Sequence, residues 1–369
     1  MPVHDDPDNT LRVSIIIPTL NRANYLRRTL ESLVSGSFPP DRFEILIVDG
    51  GSTDDTQYLC RRFIEANPGY LIHLLHEPEP GSLAGRHRGA KEASGEILTF
   101  IDDDIEAHPG WLPSISDAFR ESDVHLVGGK NLPKFEATPP PWLKDFWITT
   151  PYGGKECGYL SLLDLGDKLL RVHPDFVWSL NLSIRRETLF DAGGFHPDIY
   201  PKRLQRFQGD GETGLTMKLF ERGYGALYHP GAAVFHAIPK NRMTIDYFEK
   251  RMYFQGVADS YSDIRKSHFS TAKDPSPPQD VMKQVFEKSV YVAKGSLSKV
   301  FAHLKSTKDA RAIKEKMEHA YNKGYEFHQA QVRADPTLLK WILKKDYWDY
   351  HLRIDLRGDE VGGTLERSY

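Results

Sequence analysis

The sequence predicts an α/β fold, a mainly parallel sheet flanked by helices, followed by an α-helical C-terminal region. Three observations carry this. Strand-like and helix-like segments alternate with short joints from Arg12 to Ile101. The strand-like runs are apolar on both faces, as in sheets covered by helices on each side. Beyond Thr244 long helical patterns replace the alternation.

Residues 12–17 (RVSIII) form a β-branched run that Pro18 is expected to end. Asn21 is placed to cap a helix in which Leu26, Leu30, Leu33 and Val34 recur at helical spacing. Residues 43–48 (FEILIV) read as a second strand, and Ser52 followed by Asp55 as the start of a helix. A third strand covers 71–75, a helix 83–94 with Gly95 just past its end, and a fourth strand 96–101. In βαβ units the ligand crevice lies beyond the carboxyl ends of the strands. That puts Thr19, Asp49, Asp102, Asp103 and Asp104 on the rim of one cleft. From 127 to 236 short strands mix with loops and proline-rich turns, with helices near 186–192 and 212–222. Helical patterns follow over 247–266, 280–306 and 310–334, with a break at 273–278 (KDPSPP).

Composition narrows the function. With 40% hydrophobic and 27% charged residues the chain has the balance of a globular protein. A net charge of -3 argues against nucleic-acid binding through bulk electrostatics. Up to Pro239 there are 24 Lys+Arg against 33 Asp+Glu, and from Lys240 onward 24 against 18. That change of sign points to separate roles for the two parts. Cys60 and Cys157 form no CxxC pair, which argues against a disulfide framework or a thiolate zinc site and for a reducing compartment. The first residues lack the basic-then-apolar pattern of a signal peptide, and no apolar run reaches the ~18 residues of a membrane span. A cytoplasmic location is expected. Leu338, Leu339, Trp341 and Ile342 beside Lys340, Lys344 and Lys345 leave three readings open: a peripheral membrane contact, a homo-oligomer face, or a cap on the rest of the chain.

The chemistry concentrates after the strands. Three adjacent carboxylates, Asp102, Asp103 and Asp104, repel one another and stay ionised together only where water or a cation screens them. On that reasoning, removing one should relieve repulsion. Hard oxygen ligands at a strand end suit Mn²⁺ or Mg²⁺ shared with a diphosphate, although a solvated acidic loop would look the same. Asp49 precedes Gly50, Gly51, Ser52 and Thr53, where glycines admit a ligand to the backbone and a helix N-terminus favours anions. Arg86 and Arg88 follow Gly81 and are candidates for holding phosphate.

VSIIIPTLNR, EILIVDGGSTDDT and GRHRGAKEASGEILTFIDDD, followed by WSLNLSIRRETLFDAGGF and GDGETGLTMKLFERGYGALYHPGAAVFH, resemble the ordered signature of family 2 glycosyltransferases with the GT-A fold. The resemblance runs from Val13 to His236. It implies a catalytic domain over 1–240, with a nucleotide-sugar half at about 12–130 and an acceptor half at about 131–240, before a helical region over 241–369. It implies an inverting, divalent-metal-dependent transfer of a sugar from a nucleotide-sugar donor, a UDP-sugar by the usual pattern, to an acceptor hydroxyl. The acceptor would be a glycan, a lipid-linked glycan or a small molecule. Asp49 matches the acid that contacts the base; Pro18, Thr19 and Arg22 the loop that lines the nucleoside; Arg86 an arginine near base and diphosphate. Asp102 and Asp104 match the outer acids of the DxD motif, with Asp103 between them among the nucleotide-binding residues. Asp104 is then the direct metal ligand, Asp102 lies nearer the ribose or a metal-bound water, and His236 is a histidine that completes the metal or diphosphate site.

Two departures stand out. The family's GED triplet appears as Gly211 and Glu212 within GDGET, so alignment puts either Glu212 or Asp210 at the catalytic base. His87 stands where asparagine is frequent. Trp142, Phe146, Trp147, Tyr152, Tyr159 and Trp178 fall in the segment where relatives contact acceptors, though such a stretch also suits a core. Two other classes compete. A sugar nucleotidyltransferase would want a glycine-rich basic loop where Pro18 to Arg22 stand. A sugar-nucleotide-binding relic would lack the base.

Overall fold

The structure is a computed structural model that describes residues 12–269, 308–349 and 352. The helix expected over 280–306 and the break at 273–278 lie outside the described residues.

The parallel core forms from β1 (Val13–Thr19), β2 (Phe43–Asp49), β3 (Leu71–His76) and β4 (Ile97–Ile101), linked through α1 (Ala23–Val34), α2 (Thr56–Ala66) and α3 (Ser82–Glu92). β5 (Ile105–Ala107), α4 (Trp111–Ala118), β6 (Leu126–Gly128) and β7 (Asn131–Phe135) follow. Next come β8 (Ile148–Thr149), β9 (Lys155–Cys157), β10 (Leu162–Asp164), β11 (Leu170–Val172), β12 (Asn181–Arg185) and α5 (Arg186–Asp191). α6 (Glu212–Glu221), β13 (Ala226–Tyr228) and β14 (Val234–Ile238) complete the sheets, and α7 (Ile245–Phe269), α8 (Lys308–Ala334) and α9 (Pro336–Ile342) complete the described chain.

One eight-stranded sheet runs β11-β13-β6-β12-β4-β1-β2-β3, and a six-stranded sheet runs β5-β14-β7-β10-β9-β8. Alternation along β1 explains the layers. Val13, Ile15 and Ile17 enter one core with Leu26, Leu30, Cys60 and Trp111, while Ile16 enters the opposite core with Leu83, Leu98, Phe100 and Leu215. Pro18 does not end the strand: it lies within β1, in register with Val48. The ladder to β4 stops at Ile16, so the imide nitrogen of Pro18 faces no partner strand there.

The C-terminal apolar residues resolve as a cap. Leu338 and Ile342 are fully buried and Trp341 nearly so, in the core that also holds Phe195, Leu215 and Tyr261. Leu339 packs against the same core. These apolar side chains are thus spent largely on the protein's own interior. Among the described residues no helix is long and apolar enough to cross a membrane.

His87, His196 and His328 are buried imidazoles held without charge. Burial pulls His87 down to about 3, and His196 and His328 to about 4, against Asp210's opposing pull on His196. Because the folded values lie below the unfolded one, unfolding takes up protons, and stability is complete above ~6.5 and lost as pH falls. Denaturant titration should show a decline worth ~2 kcal/mol for each ring between pH 7 and 5. An unfolding free energy that stays flat across that window would mean the rings are not held neutral.

Candidate active site

β1 sits at the switch point of the sheet: the chain leaves it toward β2 and β3 on one side and returns to β4 on the other. A crevice opens outside the carboxyl ends of strands at such a point. β1 delivers Thr19 there, and β4 delivers the three aspartates.

The aspartates have three different environments. Asp102 is the open one, its side chain 39% exposed, with Arg86 Nη2 at 3.7 Å. Asp103 is buried and turned back, accepting the Thr19 hydroxyl at 2.8 Å with Arg22 Nε at 3.3 Å. Asp104 is buried, paired with Arg22 and with Arg242 Nη2 at 2.8 Å, and its Oδ1 lies 3.4 Å from His236 Nε2. Burial raises Asp104, but the guanidinium groups of Arg242 and Arg22 outweigh it and hold the carboxyl well below the usual range. The repulsion expected from sequence is therefore already compensated by guanidinium charge.

His236 Nδ1 lies 3.0 Å from the carbonyl of Leu160, which can only accept, so Nδ1 carries the proton. Nε2 then presents a lone pair, which faces Asp104 and receives Arg242 Nη1 at 2.8 Å. A histidine whose other nitrogen is anchored to a carbonyl is the usual form of a metal ligand. Asp104 Oδ1 and His236 Nε2 converge, with the harder Asp102 alongside, a donor chemistry that fits Mn²⁺ or Mg²⁺. Among the described residues no ready-made cage of three or more such side chains exists.

At the end of β2, Asp49 is buried and accepts from Ser52 N–H at 3.1 Å and from the Gln57 amide at 2.8 Å. Asn21 does not cap α1. At φ 54° it turns its side chain to the neighbouring loop, accepting Thr53 N–H at 2.7 Å, while its own N–H donates to Ser52 at 2.8 Å. The two loops after β1 and β2 are thereby locked together. Pro18 packs beneath α3, where a side chain at Gly85 would come within 3.0 Å of it.

Arg86 is buried, its Nη1 2.9 Å from Asp198 and its Nη2 donating to Ser179 at 2.9 Å. Ser82 also binds Asp198. Arg88 is instead a surface residue, paired with Glu92 at 3.1 Å. Gly211, at φ 57°, makes the turn into α6; a Cβ there would press within 2.7 Å of Asp198. Glu212 is the first residue of α6 and lines a cleft of about 280 Å³ with Phe146, Tyr159, Trp178, Asp175 and Arg251. Burial raises the Glu212 carboxyl, and Asp198 and Asp102 add to that against the opposing pull of Arg86. Asp210 has other partners: its carboxylate is held by His196 Nδ1 at 2.7 Å and by the Ser262 hydroxyl of α7 at 2.6 Å.

Residues 14–178 match the profile of Glycosyl transferase family 2. The glycosyltransferase AglE of Haloferax volcanii is 30% identical over 217 residues, covering 58% of this chain and 64% of that protein. The match thus spans a little under two thirds of that relative's own length. The glucosyl-dolichyl phosphate glucuronosyltransferase of the same organism is 24% identical over 260 residues, covering 69% of this chain and 78% of that one.

The chain is thus similar to glycosyl transferase family 2 across residues 14–178.

Among solved structures, the mannosyltransferase PcManGT from Pyrobaculum calidifontis in complex with GDP-Man and Mn²⁺ is similar with a TM-score of 0.54, covering 91% of this chain and 87% of that one. At 20% identity this is a likeness of fold, the GT-A fold. In this chain Thr19, Arg22, Asp102, Asp103, Asp104 and His236 gather at the switch point, and Arg86 and Glu212 lie along the same crevice. Sequence reasoning missed Arg242 and Asp198. Each is an ordinary charged residue in a loop far from its partner in sequence, and the only hint was that Arg242 closely follows His236. The aromatic segment divides between two duties. Phe146, Tyr159 and Trp178 border the cleft, whereas Trp142 packs edge-on against Phe248 at 5.1 Å in a core with α7.

Proposed function

We propose that this protein transfers a sugar from a nucleoside-diphosphate donor to an acceptor hydroxyl with inversion, Glu212 serving as the base. The observation that carries the proposal is the placement of a carboxyl of raised pKa at the mouth of an aromatic cleft, beside the crevice of the aspartates. Raised basicity suits a carboxylate that must accept a proton. Asp210, held between His196 and Ser262, is the weaker candidate.

The donor's nucleoside is assigned to the crevice bounded by Asp49 and the loops after β1 and β2. Arg22 and Arg242, now paired with Asp104, supply positive charge where the diphosphate would lie. Asp104, His236 and Asp102 would hold Mn²⁺ or Mg²⁺, whose charge offsets that growing on the departing diphosphate. The acceptor enters the aromatic cleft, whose lining by Tyr159 and Trp178 suits a sugar. Glu212 takes the proton of the acceptor hydroxyl as that oxygen attacks the anomeric carbon, through a transition state of oxocarbenium character. A glycan or lipid-linked glycan acceptor agrees with the activity for which the glucuronosyltransferase relative is named. A uridine nucleotide remains the donor to test first. The nucleotidyltransferase alternative is disfavoured because the loop after β1 carries no glycine-rich phosphate cradle.

Thermal shift and calorimetry test the donor site. UDP with Mn²⁺ should stabilise the protein more than UDP alone does, the gain over the ligand-free protein reaching ~2.7 kcal/mol at a hundredfold excess over Kd. UDP binding with equal affinity in EDTA would remove the metal assignment. Stabilisation by GDP or dTDP in place of UDP would keep the site and change the nucleoside.

A further inference from the structure

We propose that the C-terminal segment around Tyr347 and Trp348 is a strap that positions the donor-site arginine, Arg86, and that His87 is the joint through which it acts. The proposal builds on the glycosyltransferase reading above, because it assigns Arg86 to donor binding.

His87 follows Arg86 on α3 and is buried. Its Nε2 lies 3.0 Å from the backbone N–H of Phe195, which can only donate, so Nε2 is unprotonated. Nδ1 therefore carries the proton and donates to the carbonyl of Tyr347 at 3.2 Å. An uncharged imidazole, pulled down to about 3 by burial, keeps this one-donor, one-acceptor arrangement through the working range of pH. The departure from the family's asparagine is thus a joint between distant parts of the chain.

The strap is held on both sides of that joint. Trp348 stacks on His87 with centroids 4.0 Å apart and on Phe190 at 4.4 Å, with interplanar angles of 23° and 4°. Lys91, one turn further along α3, donates to the carbonyl of Trp348 at 2.6 Å. Tyr347 is anchored to α7 through Tyr261, hydroxyl to hydroxyl, at 2.6 Å. Gly194 makes room: at φ 68° it carries no Cβ, which would overlap His87 Nε2 and come within 2.9 Å of Trp348.

The same ring reaches the reaction centre by a short path. Phe195, which His87 holds, begins the loop that ends in Asp198, and Asp198 binds Arg86 Nη1 at 2.9 Å. That loop is also pinned beside the base, with His196 N–H donating to the Gly211 carbonyl at 3.1 Å and Gly209 N–H to Pro197 at 2.9 Å. One side chain therefore ties the strap to the helix that carries Arg86 and to the loop that carries its counter-ion. Arg86 does not touch the strap; Tyr347 and Trp348 are positioning residues.

Hydrogen exchange and calorimetry on the full chain test this together. In Trp348→Ala the Phe195 amide should exchange at least about tenfold faster, and Kd for UDP with Mn²⁺ should rise about tenfold. Trp348→Phe, which keeps a stacking ring, should restore both. If the strap acts through the Asp198 to Arg86 pair, Trp348→Ala should add less than about twofold to the Kd of an Asp198→Asn variant, because coupled residues are not additive. Unchanged exchange at Phe195, or a lowered melting temperature with UDP affinity intact, would overturn the proposal and leave a simple brace. If the wild-type protein fails to bind UDP, the nucleotide assignment fails, while the exchange measurement still decides the strap.

Discussion

Glu212→Gln should lower sugar transfer by ~10²–10⁴-fold while leaving nucleotide and metal affinity near wild type, because the amide keeps the shape and loses the basic oxygen. The structure adds a second signature. Burial, Asp198 and Asp102 lift the carboxyl above the ordinary glutamate range despite Arg86. Transfer by the wild type should therefore fall as pH drops through a point above ~4.3, and this acidic limb should vanish from the residual activity of Glu212→Gln. Asp210→Asn is the comparison. Its carboxylate holds His196 and Ser262, so its loss should cost stability first and activity through misplacement of the loop before Glu212. Initial rates over pH for both variants decide the matter. An active Glu212→Gln beside an inactive, well-folded Asp210→Asn would move the base to Asp210. If neither variant slows transfer beyond about threefold, the assigned chemistry fails.

Asp104→Ala should abolish transfer and also destabilise the protein, by ~3 kcal/mol. The sequence suggested the opposite sign for stability, since three adjacent carboxylates should welcome the loss of one. In the fold, Asp104 is the shared counter-ion of Arg22 and Arg242, and its removal leaves two guanidinium groups crowded without it. Its depressed pKa gives a matching pH signature. The stabilisation is present above the unfolded carboxylate value and is lost as pH falls through the folded one. Denaturant unfolding of the variant and the wild type at neutral and acidic pH checks both statements. A variant more stable than wild type at neutral pH would show that the aspartates repel rather than pair.

Much of the parallel core is legible in the sequence. Residues 43–48 and 96–101 are runs that can only be buried on both faces, and helices between such runs force a parallel sheet with its crevice at the strand ends. This is local information: periodicity within an element, and an acid or threonine one step beyond it. What each acid faces is not legible there. Asp102, Asp103 and Asp104 are neighbours in sequence, yet one is open, one is bonded to Thr19 and one is bracketed by arginines. Side chains leaving consecutive backbone positions point in different directions, so their partners come from β1, α3 and the turn after β14.

Pro18 shows the same limit in a strand, since its place within β1 depends on where the β4 ladder stops. The C-terminal segment shows it most fully. Its apolar and basic residues suit a membrane, a partner or a cap equally well, because amphipathicity states that a face must be covered and not by what. The sequence by itself determined the sheet, its open rim and the residue types gathered there. The tertiary structure alone decided which charges neutralise which, that Glu212 and not Asp210 borders the aromatic cleft, and that Tyr347 and Trp348 close over His87. Those outcomes rest on contacts between residues tens to hundreds of positions apart, and neither periodicity nor spacing encodes them.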